Sequence, residues 1–164
     1  MTVGITELSL RELAAAIGTS HRMLIYHFGS REGLLTAVTR EVEARERAAL
    51  QRSLEEAEDP RERWSHLTDP KLWPQERLFF ELYAQALLGR SGTEGFLDGI
   101  VDAWLPPISE AFVAAGADQG TARADARLTV AVVRGLLLDL LATKDQVAVD
   151  EAFDRFVQLI RPLS

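Results

Sequence analysis

Ser20, His21, Arg22, Met23, Tyr26 and His27 fall within one short stretch, and no aspartate or glutamate occurs from Leu13 to Ser30. A guanidinium, imidazoles and hydroxyls grouped without a carboxylate can donate hydrogen bonds to a polyanion. A planar guanidinium can also pair with the edge of a guanine. The same inventory argues against bond-making. His21, His27 and His66 are the only histidines, no His–Glu pair has metal-binding spacing, and no serine sits in a nucleophile elbow. There is no cysteine, so neither a disulfide nor a thiolate metal site can form. No enzymatic activity, metal or cofactor is expected.

Local signals define the elements that must hold these side chains. Ser9 followed three residues later by Glu12 is a capping box, in which each side chain satisfies a backbone N–H that the helix leaves free. Leu10, Leu13, Ala14 and Ile17 then share one helical face. Gly18 stands where the chain must leave that helix in a left-handed conformation. Ser20 can cap a second helix, His21 to Phe28, with Leu24, Ile25 and Phe28 inward and His21, Arg22, Met23, Tyr26 and His27 outward. Two short helices about a tight glycine-containing turn make a helix-turn-helix, whose second helix enters the major groove.

In Ser9, Leu13-Ala14, Gly18-Thr19-Ser20, Tyr26-His27-Phe28 and Arg31, with Leu34-Leu35 continuing, the chain resembles the tetracycline-repressor (TetR) family of bacterial one-component regulators. Spacing, turn glycine and downstream helix all agree. Two departures stand out. Ile25 takes the position usually held by a phosphate-contacting tyrosine, leaving Tyr26 beside it, and Arg31 replaces the usual lysine while keeping its charge. A third concerns the helix that precedes Gly4 in the family, where this sequence has Met1-Thr2-Val3. Three residues cannot make a helix. Leu13, Ile17, Leu24 and Phe28 are therefore expected to lose part of their burial, and the head to be loose without DNA. A truncation, residues missing from the sequence, and natural loss of strong operator binding are the three explanations.

Composition sets bounds around this reading. The 164 residues, 47% hydrophobic, suffice for one or two small domains with a real core. No signal peptide is recognisable at the N-terminus. The longest apolar run, Leu128 to Ala142, contains Arg134 and Asp139 and is shorter than the roughly 20 residues of a membrane helix. Together these favour a cytoplasmic protein with no membrane partner. Net charge is −7, yet residues 1–35 balance Arg11, Arg22 and Arg31 against Glu7, Glu12 and Glu32, so the acidity lies wholly downstream. An acidic body keeps itself off DNA while a neutral head with a positive tip can approach it.

The rest reads as helix throughout, with no strand pattern and no internal repeat. A long helix should run from about Glu32 to Glu58, followed by one capped by Asp59 with proline at its first position, running to about Leu67. Gln75 to Leu88 would carry Leu78, Phe79, Leu82, Tyr83, Ala86 and Leu87 inward. Gly89 to Gly95 reads as a plain loop, since no strand precedes it and no Lys-Ser/Thr follows. Phe96 to Trp104 should be helical, broken at Pro106-Pro107 and resuming from Ile108 to Ala115. The last two helices should span Thr121 to Thr143, apolar nearly all round, and Val149 to Ile160, with a stripe of Val149, Phe153, Phe156, Val157 and Ile160.

The expected architecture is all-α: a helix-turn-helix head at 1–35, then a helical effector-binding and dimerisation domain at 36–164. The resemblance implies a transcription regulator, a ligand-responsive repressor that grips a palindromic double-stranded operator as a homodimer. The last two helices would pair with their copies, and a small chain with two such apolar helices favours the same symmetric solution. His21, Arg22, Met23 and Tyr26 would lie near base edges, with Ser9, Ser20, Tyr26, His27 and Arg31 near phosphates. The middle helices hold the aromatic residues, which either fill the core or line a site for an apolar or aromatic small molecule. Candidate ligand contacts are Trp64, His66, Phe79, Tyr83, Phe96, Trp104 and Arg134, with Gln85 and Asp139 as further polar groups; for Arg134 and Asp139 structural partners are the simpler reading. The rival is an all-α small-molecule-binding dimer with a non-functional or truncated head.

Overall fold

A computed structural model describes residues 9–56 and 59–160. The expectations on Met1 to Leu8 lie outside the described residues, and the long helix expected to reach Glu58 ends at Glu55, with Glu56 already in a turn. Among those described, all regular structure is helical: α1 Leu10–Ala16, α2 His21–Phe28, α3 Arg31–Glu55, α4 Pro60–Leu67, α5 Trp73–Leu87, a 3-10 turn Asp102–Trp104, α6 Leu105–Ala114, α7 Gln119–Thr143 and α8 Gln146–Ile160. The all-α expectation is met. The chain groups into two compact units. One comprises residues 1–45 and 74–98, the other 46–73 and 99–164.

In the first unit, Leu10 and Ala14 of α1, Leu24 of α2 and Leu34 of α3 form a small buried cluster, with Leu13 packed on it. The inward face expected of α2 shrinks to Leu24 alone, because Ile25 and Phe28 are exposed. In a two-turn helix Ile25 lies about 100° round from Leu24, and Phe28 sits at the fraying end, so neither reaches the cluster. Ile17, which ends α1 as its C-cap, is 65% exposed. Further along, Leu78, Phe79 and Leu82 are the buried residues of α5. Tyr83 and Ala86 are half-buried, while Leu87, the last residue of α5, is exposed where the chain leaves the helix. Phe79 makes tilted ring contacts with Tyr83 at 5.8 Å and with Phe96 at 6.0 Å.

The second unit is pinned by specific side-chain pairs. Trp64 of α4 stacks on Phe153 of α8, ring centroids 4.6 Å apart and planes 7° apart. Its indole N–H donates to Asp150 at 2.6 Å, and one turn away Arg61 donates to Asp154 at 2.6 Å. The Asp59 cap and first-position proline expected for α4 are both present. Against α7, Ile108, Ala126 and Val130 form a core joined by Leu50, Val101, Trp104, Leu105 and Phe112. The α8 stripe also holds, with Val149, Phe153, Phe156 and Val157 buried and Ile160 half-buried.

Several boundaries differ from expectation: α5 starts at Trp73, two residues early, and α8 at Gln146, three residues early. Phe96 to Trp104 is a run of turns ending in the short 3-10 helix, and Gly99 within it has φ 69°, which a regular right-handed helix cannot accommodate. Pro106-Pro107 do not break a helix; they lie in the first turn of α6, where the missing N–H groups have no helical acceptor in any case. Finally, α7 starts two residues earlier than expected because Asp118 caps it, accepting from the N–H groups of Gly120 at 2.9 Å and Thr121 at 3.1 Å.

The Trp64 pairings give a graded expectation. Trp64→Ala should lower unfolding stability by about 3–5 kcal/mol, the usual loss for a buried large aromatic. Trp64→Phe keeps a stacked ring and removes the hydrogen bond to Asp150, a loss nearer 1.5 kcal/mol. Urea unfolding followed by circular dichroism separates the two; equal losses would mean the stack contributes nothing.

Candidate nucleic-acid interface

The site is assembled by three local devices. At the start of α1 the capping box is complete: the Ser9 hydroxyl oxygen accepts from the Glu12 N–H at 3.3 Å, and the Glu12 carboxylate accepts from the Ser9 N–H at 2.7 Å. Hydrogen bonding from the Ser9 side chain, and then from its backbone, holds the Glu12 carboxyl below its ordinary range. At the end of α1, Gly18 has φ 71°, and the N–H groups of Gly18 and Thr19 bond back to the carbonyls of Ala15 and Ala14. This is a Schellman turn, which reverses the chain within a few residues. Ser20 then caps α2, its hydroxyl oxygen accepting from the Met23 N–H at 3.2 Å.

These devices leave α2 as a helix with one buried side chain and a wide polar surface. Leu24 is 4% exposed, whereas Tyr26 is 79% exposed. His21, Arg22, Met23 and His27 are exposed as well. The Tyr26 and His27 rings meet edge to face at 5.1 Å, so the phenol and the imidazole present one aromatic ledge. Just beyond, Arg31 opens α3 with a half-buried side chain, its guanidinium 3.9 Å from the Glu32 carboxylate. Glu32 moderates the positive potential there. Ser9 and Ser20 use their hydroxyl oxygens in capping, and a phosphate approaching Ser9 meets the Glu12 carboxylate. Of the sequence-derived DNA contacts, Ser20, His21, Arg22, Met23, Tyr26 and His27 therefore lie together on or beside α2, Arg31 follows them, and Ser9 stands at the start of α1.

The seven candidate ligand contacts fall in two groups. Phe79, Tyr83 and Phe96 belong to the first unit, where Tyr83 and Phe96 meet edge to face at 6.5 Å. Trp64, His66, Trp104 and Arg134 belong to the second. There Trp64 is committed to Phe153 and Asp150, and Arg134 donates to the Ile100 carbonyl at 2.7 Å. The Arg47 guanidinium lies 5.8 Å over the Trp104 ring, and exposed His66 is 3.9 Å from the Glu46 carboxylate. A cleft of about 270 Å³ lies in the first unit, lined by Ala86, Gly89, Arg90, Thr93, Glu94, Gly95, Leu97 and Asp98. Sequence reasoning missed it by treating Gly89 to Gly95 as a plain loop. The charged residues alternating with those glycines were the available signal. No group of histidine, aspartate and glutamate side chains able to hold a metal ion occurs among the described residues.

An exposed, acid-free second helix behind a Schellman turn, in an all-helical chain, is the arrangement of a helix-turn-helix. The model of the bacterial regulatory proteins of the tetR family matches residues 1–38. A solved structure assigned to the TetR-family transcriptional regulators, from Rhodococcus sp., is 26% identical, with a TM-score of 0.65 over 95% of this chain and 87% of that one. A TetR transcriptional regulator from Legionella pneumophila shares the fold at 16% identity, with a TM-score of 0.67 over 94% of this chain and 87% of its own. No curated protein matches. Over residues 1–38 the chain is similar to the tetR-family regulators, and its all-helical architecture, a helix-turn-helix followed by further helices, is that of the two solved structures.

The capping box predicts a pH effect of definite sign. The folded Glu12 carboxyl titrates below its unfolded value, so its contribution to α1 is complete at neutral pH. That contribution disappears as the pH falls through the folded-state value. Ser9→Ala removes the hydroxyl and keeps the backbone N–H, so it should move the carboxyl up towards its ordinary range and make amide exchange in α1 less sensitive to acid. Carboxyl titration by NMR checks this, and an unmoved Glu12 in Ser9→Ala would contradict it.

Proposed function

We propose that this regulator binds a palindromic double-stranded operator as a homodimer and releases it when a small molecule occupies the helical body. The observation that carries the reading is α2 itself, anchored through Leu24 with Arg22, His21, Met23 and Tyr26 exposed; in this reading those four face the base edges. Arg22 is the residue able to read a guanine in a bidentate manner. Ser20, Tyr26, His27 and Arg31 position the head on phosphates, with Ser9 at the margin. In this reading residues 1–35 serve as the reading head and residues 36–164 as the effector and dimerisation domain.

Homodimerisation draws support from the outer face of α7. Ala124, Leu128, Ala131, Gly135, Leu138 and Ala142 are all exposed and alternate in steps of four and three. Leu128 is 48% and Leu138 51% exposed, while Ala122, Ala126, Val130, Leu137 and Leu140 line the opposite, buried face. Such a spacing suits helix against helix, and nothing lies within 4 Å of where a Cβ on Gly135 would stand, which leaves room for close approach. Leu159 of α8 is exposed too. A two-fold axis through this stripe pairs one surface with itself and sets two reading helices about one DNA turn (~34 Å) apart, or a multiple of it.

The effector reading rests on aromatic side chains that keep part of their surface open, Tyr83 in the first unit and, separately, Trp104 in the second. An apolar or aromatic compound is the class they suit. It acts by binding one head separation better than the other, a population shift.

Arg22→Ala should relax base preference at one operator position, whereas Arg31→Ala should weaken binding to all sequences and reduce the salt slope by about 1. Gel-shift titrations over a range of salt, on an operator selected from a random pool, read both. Unchanged affinity and salt slope in Arg31→Ala would remove it from the phosphate contacts. Leu138→Glu should shift the protein from dimer to monomer in sedimentation, with loss of operator binding; a persistent dimer would place the interface elsewhere. Compounds found by thermal shift that stabilise the protein without releasing DNA would favour the ligand-binding dimer with a silent head.

A further inference from the structure

The loop after α5 bears directly on the first turn of α3, within the same unit as the head. Thr36, a buried residue of α3, donates its hydroxyl to the Gly92 carbonyl at 2.9 Å. Gly92 has φ 85°, and a Cβ there would stand 2.5 Å from Glu32 Cβ, 2.8 Å from Ser30 Oγ and 3.3 Å from the Gly33 nitrogen. Ser30 Oγ is itself occupied, accepting from the Gly33 N–H at 2.9 Å. On its other side Gly33 abuts the end of α2, where an added Cβ would overlap the Phe28 carbonyl oxygen. The start of α3 is thus held between the last turn of α2 and the loop with no side-chain thickness on either side.

The loop is braced for such a role. Thr93, which is buried, donates its hydroxyl to the Arg90 carbonyl at 2.6 Å, and the Gly92 N–H donates to the Glu94 carboxylate at 2.8 Å. The Phe96 N–H returns to the Thr93 carbonyl at 3.0 Å, and the Phe96 side chain is almost fully buried. Backbone, carboxylate and aromatic anchor together fix the height of Gly92. By contrast α2 has a single buried side chain, so its orientation depends on what holds its ends.

We infer that the loop segment 90–96 is a clamp that seats α3 and thereby sets the orientation of α2, with Gly92 and Thr36 as positioning residues for DNA recognition. The consequence for recognition rests on the operator-binding reading above; the clamp itself does not. Its removal should reduce specific operator affinity while leaving the electrostatic, non-specific component intact, because no phosphate contact is lost.

Three variants test this: Gly92→Ala, Thr36→Val and Gly89→Ala. Gly89 has φ 65° with nothing within 4 Å of an added Cβ, so Gly89→Ala carries the left-handed strain of Gly92→Ala without its collision. Amide hydrogen exchange of α2 and the first turn of α3 should quicken at least tenfold, which is about 1.4 kcal/mol of protection, in Gly92→Ala and Thr36→Val but not in Gly89→Ala. Operator affinity should fall by a similar factor in the same two variants, with unchanged salt slope on random DNA. Exchange unaltered in Gly92→Ala and Thr36→Val, or altered equally in Gly89→Ala, overturns the clamp. Should the wild-type protein bind no DNA, the operator reading fails alone, and exchange still decides the clamp.

Discussion

A helix of two turns can bury very little, and α2 buries Leu24. That side chain joins Leu10, Ala14 and Leu34 in a cluster of four, and the rest of α2 stays exposed because nothing else on it is needed there. His21, Arg22, Tyr26 and His27 are left to solvent as a result. A helix held at one point is free to pivot about it unless its ends are constrained. The ends are where the polar devices sit: the Schellman turn at Gly18, the Ser20 cap, and the close seam from Gly29 through Gly33. Orientation in the head is therefore governed by hydrogen bonds and glycines, with apolar packing acting as the pin.

The second unit follows the opposite economy. Its helices are long, and α4 is fixed to α8 at Arg61 and Trp64 by charge, stacking and an indole hydrogen bond. Lys144 ends α7 in a left-handed conformation, φ 63°, with its ammonium 4.5 Å over the Trp73 ring and donating to the Leu141 carbonyl. A non-glycine residue with positive φ is tolerated when its side chain has such partners. With one face of α7 filled by Ala122, Ala126, Val130, Leu137 and Leu140, the uniform apolarity of that helix acquires a meaning. Only half of it serves this chain's own core.

Local chemistry was legible in the sequence, and tertiary consequence was not. The capping box, the turn glycine, the Asp59-Pro60 start of α4 and the α8 stripe each depend on residues within a few positions of one another, and each appears as read. Ile25 and Phe28 looked inward by periodicity, but periodicity does not reveal how narrow a neighbouring cluster is. Pro106-Pro107 look like an interruption only if the residues before them are helical; once Gly99 turns the chain, the same prolines become a helix start. The Thr36–Gly92 bond joins residues 56 apart and has no local signature. The exposed residues of α2 could be nominated from the motif, whereas the grouping of the aromatic residues into separate clusters required the fold.

The aromatic residues are divided in another useful way. Trp64, Trp73 and Trp104, the chain's three tryptophans, all lie in the second unit, and its two tyrosines, Tyr26 and Tyr83, both lie in the first. Indole emission therefore watches one half of the molecule and phenol emission the other, with no labelling and no cysteine to introduce. A melting curve followed through tryptophan alone would pass over an opening of the reading head in silence. The two intrinsic colours, recorded side by side, show whether the halves come apart together.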